Sequence, residues 1–273
     1  MNTGIIIQAR RSSSRFPDKV LRDMPAGSGI SMLGRVITRA KNTSYKVIVA
    51  TSEGEDDNAI AENAIKFGAE VFRGSLNDVL ERYIKAAEFY NIDEIVRITS
   101  DCPCIEPQVI KGVLELRRRE NADYASNVEP RTFPLGLDTE AVTLEALKKT
   151  DRDEKRIEIR EHVTWHIRTS ADFKKANLTY QKGDYSKIRV TVDTAEDYAV
   201  MNLIHFMLGD NFSYEDIISL YEKYPWLSAL NDNIYHKYVF SSKEEEIREA
   251  IRLLNLHNMK NAQKILEDKT NEK

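Results

Sequence analysis

The sequence is poor in cysteine: among 273 residues there are two, Cys102 and Cys104, on either side of Pro103. One intervening residue places them badly for an ordinary disulfide bond, and the spacing matches neither a CxxC redox motif nor a zinc ribbon. We therefore expect both thiols to be reduced.

Long apolar runs are also missing, and nothing approaches the roughly 20 residues that a membrane helix needs. The run Ile5 to Ile7 is too short for a signal peptide, and the arginines follow it instead of preceding it. Hydrophobic residues make up 41% and charged residues 31%, as in a soluble globular protein. These observations predict a cytoplasmic protein without a membrane partner.

Neither sign of charge dominates, since 44 acidic residues face 40 basic ones and the net charge is −4. This balance argues against a global positive field that would recruit nucleic acid. Any anion site must then be local. The length allows one substantial core, and we expect one main domain over residues 1–240 with a helical extension over 241–273.

Short apolar segments alternate with amphipathic ones in the first half of the chain. Strands are predicted at Gly4–Gln8, Lys46–Thr51, Glu70–Phe72, Glu94–Thr99 and Tyr124–Ser126. Helices are predicted at Ser31–Lys41, Asp56–Phe67, Asn77–Tyr90 and Pro107–Arg119. This order predicts an α/β fold with a mixed, mostly parallel sheet flanked by helices, whose ligands lie beyond the carboxyl ends of the strands.

The regular alternation of strands and helices ends at about residue 130. Further strands are predicted at Leu137–Thr143, Ala176–Tyr180 and Arg189–Val192, and a helix at Ile157–Thr169. Thr194 with Asp197, and Ser213 with Asp216, have the spacing of capping boxes that begin helices. The pattern indicates an insertion that returns to the same sheet. Residues 241–273 favour either a helical hairpin on the main domain or a dimer contact.

The stretch "IIIQARRSSSRFPDK", residues 5–19, carries unusual positive charge where the first strand ends. Arginine, lysine, serine hydroxyls and backbone amides together form an anion cradle; the alternative is a solvated basic loop. The motifs GxxxxGK[ST] and GxGxxG are missing, which argues against a P-loop NTPase and an ordinary dinucleotide fold.

Two carboxylates follow predicted strands elsewhere in the chain. Asp101 ends the strand in "VRITSDCP", and Asp193 ends the strand in "IRVTVDTAED". Either one alone reads as a helix cap or turn residue. Together, and near a phosphate cradle, they predict a magnesium site.

These stretches, together with "PRTFPLGLDTE" and "REHVTWHIR", resemble the cytidylyltransferase family that includes the spore coat polysaccharide biosynthesis protein F group, acylneuraminate cytidylyltransferases and 3-deoxy-manno-octulosonate cytidylyltransferases. The resemblance covers about residues 4 to 225. It implies a glycosyltransferase-A-like nucleotidyltransferase fold, an inserted subregion for acceptor binding and dimerisation, and a homodimer. The implied reaction transfers CMP from CTP to a small anionic acceptor, a sugar acid, and releases pyrophosphate, with Mg²⁺ as the cofactor.

The resemblance also implies roles for residues. Catalysis is assigned to Arg10, Lys19, Asp101 and Asp193, of which Asp101 and Asp193 hold the metal. Nucleotide binding is assigned to Ala9, Arg10, Ser13, Arg15, Lys19, Arg73, Asp78, Ser100 and Asp101. Relatives usually have glycine where this chain has Ser100, which adds a side chain beside the expected nucleotide.

The acceptor side is assigned to Arg131, Asp138, Glu140, Arg160, Glu161 and His162, because an acidic sugar needs a cationic partner. His162 and His166 are four residues apart, but no third zinc ligand accompanies them. Alternatives are a phosphonate or other small anionic acceptor, another nucleotide, a metal-dependent glycosyltransferase, or a binding module without turnover. The glycosyltransferase is disfavoured because Asp101-Cys102-Pro103 does not form a DxD motif.

Overall fold

The computed structural model describes residues 1–11, 15–232 and 242–271. The chain divides into two compact units, Met1–Asn233 and Ile234–Lys273. The expected boundary at 240/241 lies outside the described residues and stays a prediction. In the described part of the chain, no helix is long and apolar enough to cross a membrane.

The first unit contains a seven-stranded sheet in the order β3-β2-β1-β4-β6-β5-β7. The strands are β1 Thr3–Gln8, β2 Lys46–Ser52, β3 Glu70–Gly74, β4 Glu94–Thr99, β5 Tyr124–Ser126, β6 Glu140–Thr143 and β7 Lys175–Asn177. The first four strands pair in parallel. Strand β6 is antiparallel to both β4 and β5, so the expected mixed, mostly parallel sheet is confirmed.

Helices cover both faces of this sheet. They are α1 Met32–Lys41, α2 Asn58–Lys66, α3 Val79–Phe89, α4 Pro107–Arg119, α5 Leu144–Asp153, α6 Ile157–Arg160, α7 Trp165–Thr169, α8 Ala195–Leu208 and α9 Tyr214–Lys223. Strand β1 shows why two layers are needed: Ile5 and Ile7 belong to one buried cluster and Ile6 to the other. Side chains alternate across a strand, and a run of isoleucines therefore requires apolar cover on each face.

The start of α8 and the start of α9 are set by local hydrogen bonds. Thr194 and Asp197 form a capping box at α8, and Ser213 and Asp216 form one at α9, as the sequence predicts. The second unit contains α10 Lys243–Leu256 and α11 Lys260–Asn271, so the predicted extension is helical.

Three elements differ from the sequence prediction. Within the described residues, the segment Arg189–Val192 pairs with no sheet strand and makes one isolated bridge, between Leu135 and Arg189. The predicted helix Ile157–Thr169 is broken into α6 and α7 at Val163, whose φ of 54° turns its side chain into the core. Helix α5 has no counterpart in the prediction, although Thr143 caps it by accepting from the Ala146 N–H at 3.1 Å.

A buried histidine on α8 gives the fold a pH dependence. His205 is 5% exposed, and among the described residues neither ring nitrogen has a hydrogen-bond partner. Burial lowers its pKa to about 4, with the nearby Arg35 and Arg39 adding to the effect and Asp210 opposing it. The folded state therefore holds the imidazole neutral at a pH where the unfolded chain protonates it.

We expect the free energy of unfolding to fall as the pH drops through the window from 6.5 to about 4. The unfolded state binds the extra proton there, and the loss between pH 7 and 4.5 should be on the order of 2–3 kcal/mol. Urea unfolding at both pH values measures it. The variant His205→Gln should show a shallower dependence, and an equally steep slope in the variant would contradict this account.

Candidate active site

The basic loop after β1 is anchored at both ends of its first turn. The Ala9 N–H donates to the Ala50 carbonyl at 3.2 Å, and the Arg11 N–H donates to Asp57 Oδ1 at 2.8 Å. Burial alone would raise the pKa of Asp57, but hydrogen bonds from Ser52 and from the Arg11 backbone lower it. Asp57, which the sequence analysis did not single out, thus fixes where the loop leaves the sheet.

Lys19 lies in a short 3₁₀ turn further along this loop, and its ammonium group joins the two predicted metal ligands. Nζ is 3.2 Å from Asp101 Oδ2, 3.1 Å from Asp193 Oδ1 and 2.6 Å from the Val192 carbonyl oxygen. The side chain is 11% exposed. Residues that are 82 and 174 positions away from Lys19 therefore meet at one point beyond β4.

The electrostatics of this cluster favour the charged forms of Lys19 and Asp193. Burial on its own would lower the pKa of Lys19, but Asp101 and Asp193 outweigh it and the pKa is raised. Burial would likewise raise the pKa of Asp193, and the charges of Lys19, Arg15 and Arg189 lower it instead. Lys19 and Asp193 are therefore both charged at neutral pH.

The backbone before α8 places Asp193 beside Asp101 without belonging to the sheet. The Val192 N–H and the Thr191 hydroxyl both donate to the Asp101 carbonyl oxygen, at 2.9 and 3.1 Å. Arg189 then holds Asp193 Oδ2 at 3.0 Å and Asp197 Oδ1 at 2.7 Å. The two carboxylates meet, as the sequence analysis expects, but Asp193 follows an extended segment fixed by these bonds and not the predicted strand.

Of the other residues in the basic loop, some contact the Lys19 cluster or the predicted acceptor segment and others lie at the surface. Arg15 Nη2 lies 3.0 Å from Asp193 Oδ1, beside the Lys19 cluster. Arg10 Nη2 lies 2.9 Å from Glu161 Oε1, which links the loop to the predicted acceptor segment. Arg11 pairs with Asp18 at the surface. Ser13 lies outside the described residues, and Ser100, which directly precedes Asp101, is 8% exposed.

Three residues that were predicted to contact a ligand form hydrogen bonds or ion pairs within the protein. The Arg73 guanidinium donates to the Ser52 and Gly54 carbonyls at 2.9 and 2.7 Å. Asp78 caps α3 and accepts from Arg160 Nη2 at 2.6 Å. Arg160 also contacts Asp151 at 2.7 Å and is 6% exposed. These contacts hold α3, α5 and α6 together, and the ligand roles of the three residues stay predictions.

A cavity of about 110 Å³ opens at the carboxyl end of β4, and we call it the arginine cavity. It is lined by Arg97, Thr99, Val128, Arg131, Asp138, Glu140 and Arg168. Each arginine has a carboxylate partner: Arg97 with Glu140, Arg131 with Asp138, and Arg168 with Glu129. Three predicted acceptor residues, Arg131, Asp138 and Glu140, therefore come together here.

One lining residue, Arg97, was not assigned to the site from the sequence, whereas Arg168 belongs to the stretch "REHVTWHIR" that the resemblance assigns to the acceptor side. Arg97 could have been noticed, since it is a charged residue between the apolar Val96 and Ile98 in β4. His162 is exposed near this region. Partial burial lowers the pKa of His162, with Arg97 and Arg168 adding to the effect and Glu161 opposing it, which favours the neutral imidazole.

Comparison with known proteins relates this geometry to a family. A model of the cytidylyltransferase family matches residues 4–256. The chain belongs to the cytidylyltransferase family. It is therefore a nucleotidyltransferase, as the sequence resemblance implies.

Relatives and solved structures agree with this assignment. The spore coat polysaccharide biosynthesis protein SpsF of Bacillus subtilis is 30% identical over 234 residues, 81% of this chain and 94% of that protein. A cytidylyltransferase structure from Leptospira borgpetersenii is 37% identical with a TM-score of 0.79, covering 86% of this chain and all of that one. A CMP:2-keto-3-deoxy-manno-octonic acid synthetase complexed with CTP has a TM-score of 0.57 at 17% identity, covering 76% and 100% of the two chains, and supports the fold. The expected nucleotidyltransferase fold is confirmed.

The internal contacts of Arg160 predict a measurable contribution to stability. Arg160→Met should lower the free energy of unfolding by about 2–4 kcal/mol, because it removes the largely buried cation that Asp78 and the more exposed Asp151 share. Urea unfolding at pH 7 measures the change. Arg119→Met is the matched control, since Arg119 is 72% exposed and its partner Glu120 is 47% exposed. Equal effects of the two substitutions would contradict the structural role of Arg160.

Proposed function

We propose that this cytidylyltransferase transfers CMP from CTP to a sugar acid and releases pyrophosphate, with Mg²⁺ as the cofactor. The observation that carries the proposal is the position of the Lys19 ammonium between Asp101 and Asp193, next to the basic loop. A cradle of cations beside paired carboxylates suits a nucleoside triphosphate and a divalent metal. The structural neighbour is a CMP:2-keto-3-deoxy-manno-octonic acid synthetase complexed with CTP, which supports a sugar acid as the acceptor, and the spore coat relative is named for polysaccharide biosynthesis.

In this reaction the hydroxyl oxygen of the acceptor attacks the α-phosphorus of CTP. The bond from that phosphorus to the bridging oxygen breaks, pyrophosphate leaves, and the hydroxyl proton is released. Arg10, Arg15 and Lys19 bind the triphosphate and stabilise the charge that develops on the leaving pyrophosphate. Ala9 approaches the base through its backbone, and Ser13 adds a hydroxyl donor.

The residues present fit a hard divalent cation. One cation, the Lys19 ammonium, already shares the Asp101 and Asp193 carboxylates and the Val192 carbonyl oxygen. Oxygen donors of this kind are the ligands that Mg²⁺ prefers. Asp101 and Asp193 would hold the metal, which would neutralise phosphate charge when bound.

The arginine cavity supports an anionic acceptor. Arg97, Arg131 and Arg168 line it, and charge-assisted bonds from arginine to carboxylate are among the stronger hydrogen bonds in proteins. CTP and the acceptor are then the partners of the site. The cytoplasmic location and the homodimer expected from the sequence belong to the same proposal.

A pyrophosphate-release screen tests the proposal directly. The four NTPs are combined with Mg²⁺ and with N-acetylneuraminate, 3-deoxy-manno-octulosonate or 2-aminoethylphosphonate. We expect release with CTP and a sugar acid only. Release with the phosphonate alone would show that the proposed acceptor is wrong. Release with an NTP other than CTP would show that the proposed nucleotide is wrong.

Asp101→Asn should lower kcat in this assay by roughly 10²–10³-fold, since it removes one of the two carboxylates at the reacting phosphates. Circular dichroism checks that the fold is retained. Asp93→Asn is the matched control, because Asp93 is exposed just before the opposite end of β4, and it should leave kcat unchanged. Full activity of Asp101→Asn would remove Asp101 from the metal site.

Lys19→Met should let Mn²⁺ bind more tightly without nucleotide, by about tenfold. The ammonium competes with a metal for the same oxygens, and removing a partly buried competitor is worth on the order of 1–2 kcal/mol. Isothermal titration with Mn²⁺ measures this independently of turnover. Lys148→Met, at an exposed ion pair with Glu88, is the control. Unchanged Mn²⁺ affinity in Lys19→Met would show that the metal binds elsewhere.

A further inference from the structure

Arg97 enters the arginine cavity from the central part of the sheet. It lies on β4 two residues before Thr99, so both side chains are on the same face, and both line the cavity. Its cross-strand neighbour on β6 is Glu140, with which it forms an ion pair. The arginine is therefore held on two paired strands, whereas Arg131 lies in a loop and Arg168 on the five-residue helix α7.

Glu140 uses its oxygens within the protein. Oε1 accepts from the Tyr124 hydroxyl and from the Thr164 hydroxyl, each at 2.6 Å, and Oε2 accepts from Arg97. The side chain is 6% exposed. Burial would raise the pKa of Glu140, but Arg97 and the two hydroxyls lower it, so the carboxylate stays ionised. Glu140 thus orients Arg97.

The three arginines of the cavity differ in how many donors they have already used. Arg131 gives two nitrogens to Asp138, and Arg168 gives two to Glu129. Arg97 gives only Nη1 to Glu140, and its buried Nε has no acceptor among residues 1–11, 15–232 and 242–271. The buried Nε does not reach the cavity, so Nη2 is the nitrogen of Arg97 that remains for a ligand, and an arginine with a donor left at a cavity wall suits an anion.

The charge of the lining indicates which anion fits. Three arginines and two carboxylates, Asp138 and Glu140, line the cavity, and Glu129 pairs with Arg168 outside the lining, so each guanidinium already has one carboxylate beside it. A site whose positive charge is largely balanced suits a singly charged carboxylate better than a doubly charged phosphate group. The planar guanidinium also matches the planar carboxylate.

We propose that Arg97 binds the carboxylate of the acceptor and determines the preference of this site for singly charged sugar acids. Glu140, Tyr124 and Thr164 act through Arg97 and are positioning residues. The inference rests on the proposed function for the identity of the acceptor. To the proposed function it adds Arg97 as a residue that contacts the acceptor, and a single negative charge as the charge of the preferred acceptor.

Equilibrium binding tests this without requiring turnover. Isothermal titration compares N-acetylneuraminate and 3-deoxy-manno-octulosonate with their methyl esters and with 2-aminoethylphosphonate, on wild type and on Arg97→Lys. We expect wild type to bind at least one acid about tenfold or more tightly than its ester. Arg97→Lys keeps a charge beside Glu140 but lacks the guanidinium fork, and the preference for acid over ester should fall towards onefold.

Arg117→Lys is the matched control. Arg117 forms a similarly buried ion pair with Glu94, at the other end of the same strand. The variant Arg117→Lys should lower stability without changing the ratio of acid to ester binding. This result would distinguish loss of a ligand contact at Arg97 from a general destabilisation of β4. If Arg97→Lys does not fold, the double variant Arg97→Gln with Glu140→Gln removes both charges together and is titrated in its place.

The outcomes separate this inference from the proposed function. Acid binding that depends on Arg97, without pyrophosphate release, supports Arg97 and contradicts the cytidylyl transfer to that acid. Turnover with a sugar acid whose affinity is unchanged in Arg97→Lys overturns the role of Arg97 and leaves the proposed function intact. Tighter binding of the phosphonate, or binding of no sugar acid by wild type, also overturns the inference.

Discussion

The contact on which the site depends is the ammonium of Lys19 between the carboxylates of Asp101 and Asp193. It ties together the loop after β1, the turn after β4 and the segment that enters α8. The loop and the turn leave the sheet at the carboxyl ends of parallel strands, where ligands of parallel α/β sheets lie, and the segment meets them there without belonging to the sheet. Lys19 supplies the positive charge that both carboxylates share at this point.

The antiparallel strand β6 supplies the carboxylate partner of Arg97, which the parallel strands do not. The parallel part of the sheet brings the basic loop and Asp101 to one edge. Strand β6 runs back beside β4 and sets Glu140 opposite Arg97, so that a charged pair lies directly across the ladder. The arginine cavity therefore arises where the sheet changes direction. A nucleotide region and an acceptor region can then share one strand, β4.

Much of this could be predicted from the sequence, and the successes share a physical cause. Strands β1 to β4 and the capping boxes at Thr194 and Ser213 depend on patterns within a few residues, which the sequence displays directly. The sequence analysis pairs Asp101 and Asp193 because it places both at strand ends, and the two residues do meet, although Asp193 follows an extended segment and not a strand. The family resemblance then restricted which polar residues mattered.

The failures have a non-local cause. No pattern within Ile157–Thr169 indicates that Val163 turns into the core. The break in the helix is stabilised by the hydrogen bond from Thr164 to Glu140, 24 residues earlier. Arg189–Val192 has the composition of a strand, but its N–H groups donate to separate loop carbonyls, from Val190 to Leu135 and from Val192 to Asp101. The bond between Arg160 and Asp78 spans 82 residues and was not foreseen either, while the ligand roles assigned to the two residues stay predictions.

The cations of the site are held before any ligand arrives. Lys19 and Arg15 contact Asp193, and Arg10 contacts Glu161. Under the proposed function a triphosphate exchanges one set of charged partners for another. Such an exchange needs little reorganisation of the cations, and preorganised charge is the main source of electrostatic catalysis. Arg10 also pairs with Glu161 of the predicted acceptor segment. Under the same proposal, a triphosphate that binds Arg10 replaces Glu161 as its partner, so this ion pair would connect the predicted nucleotide and acceptor regions.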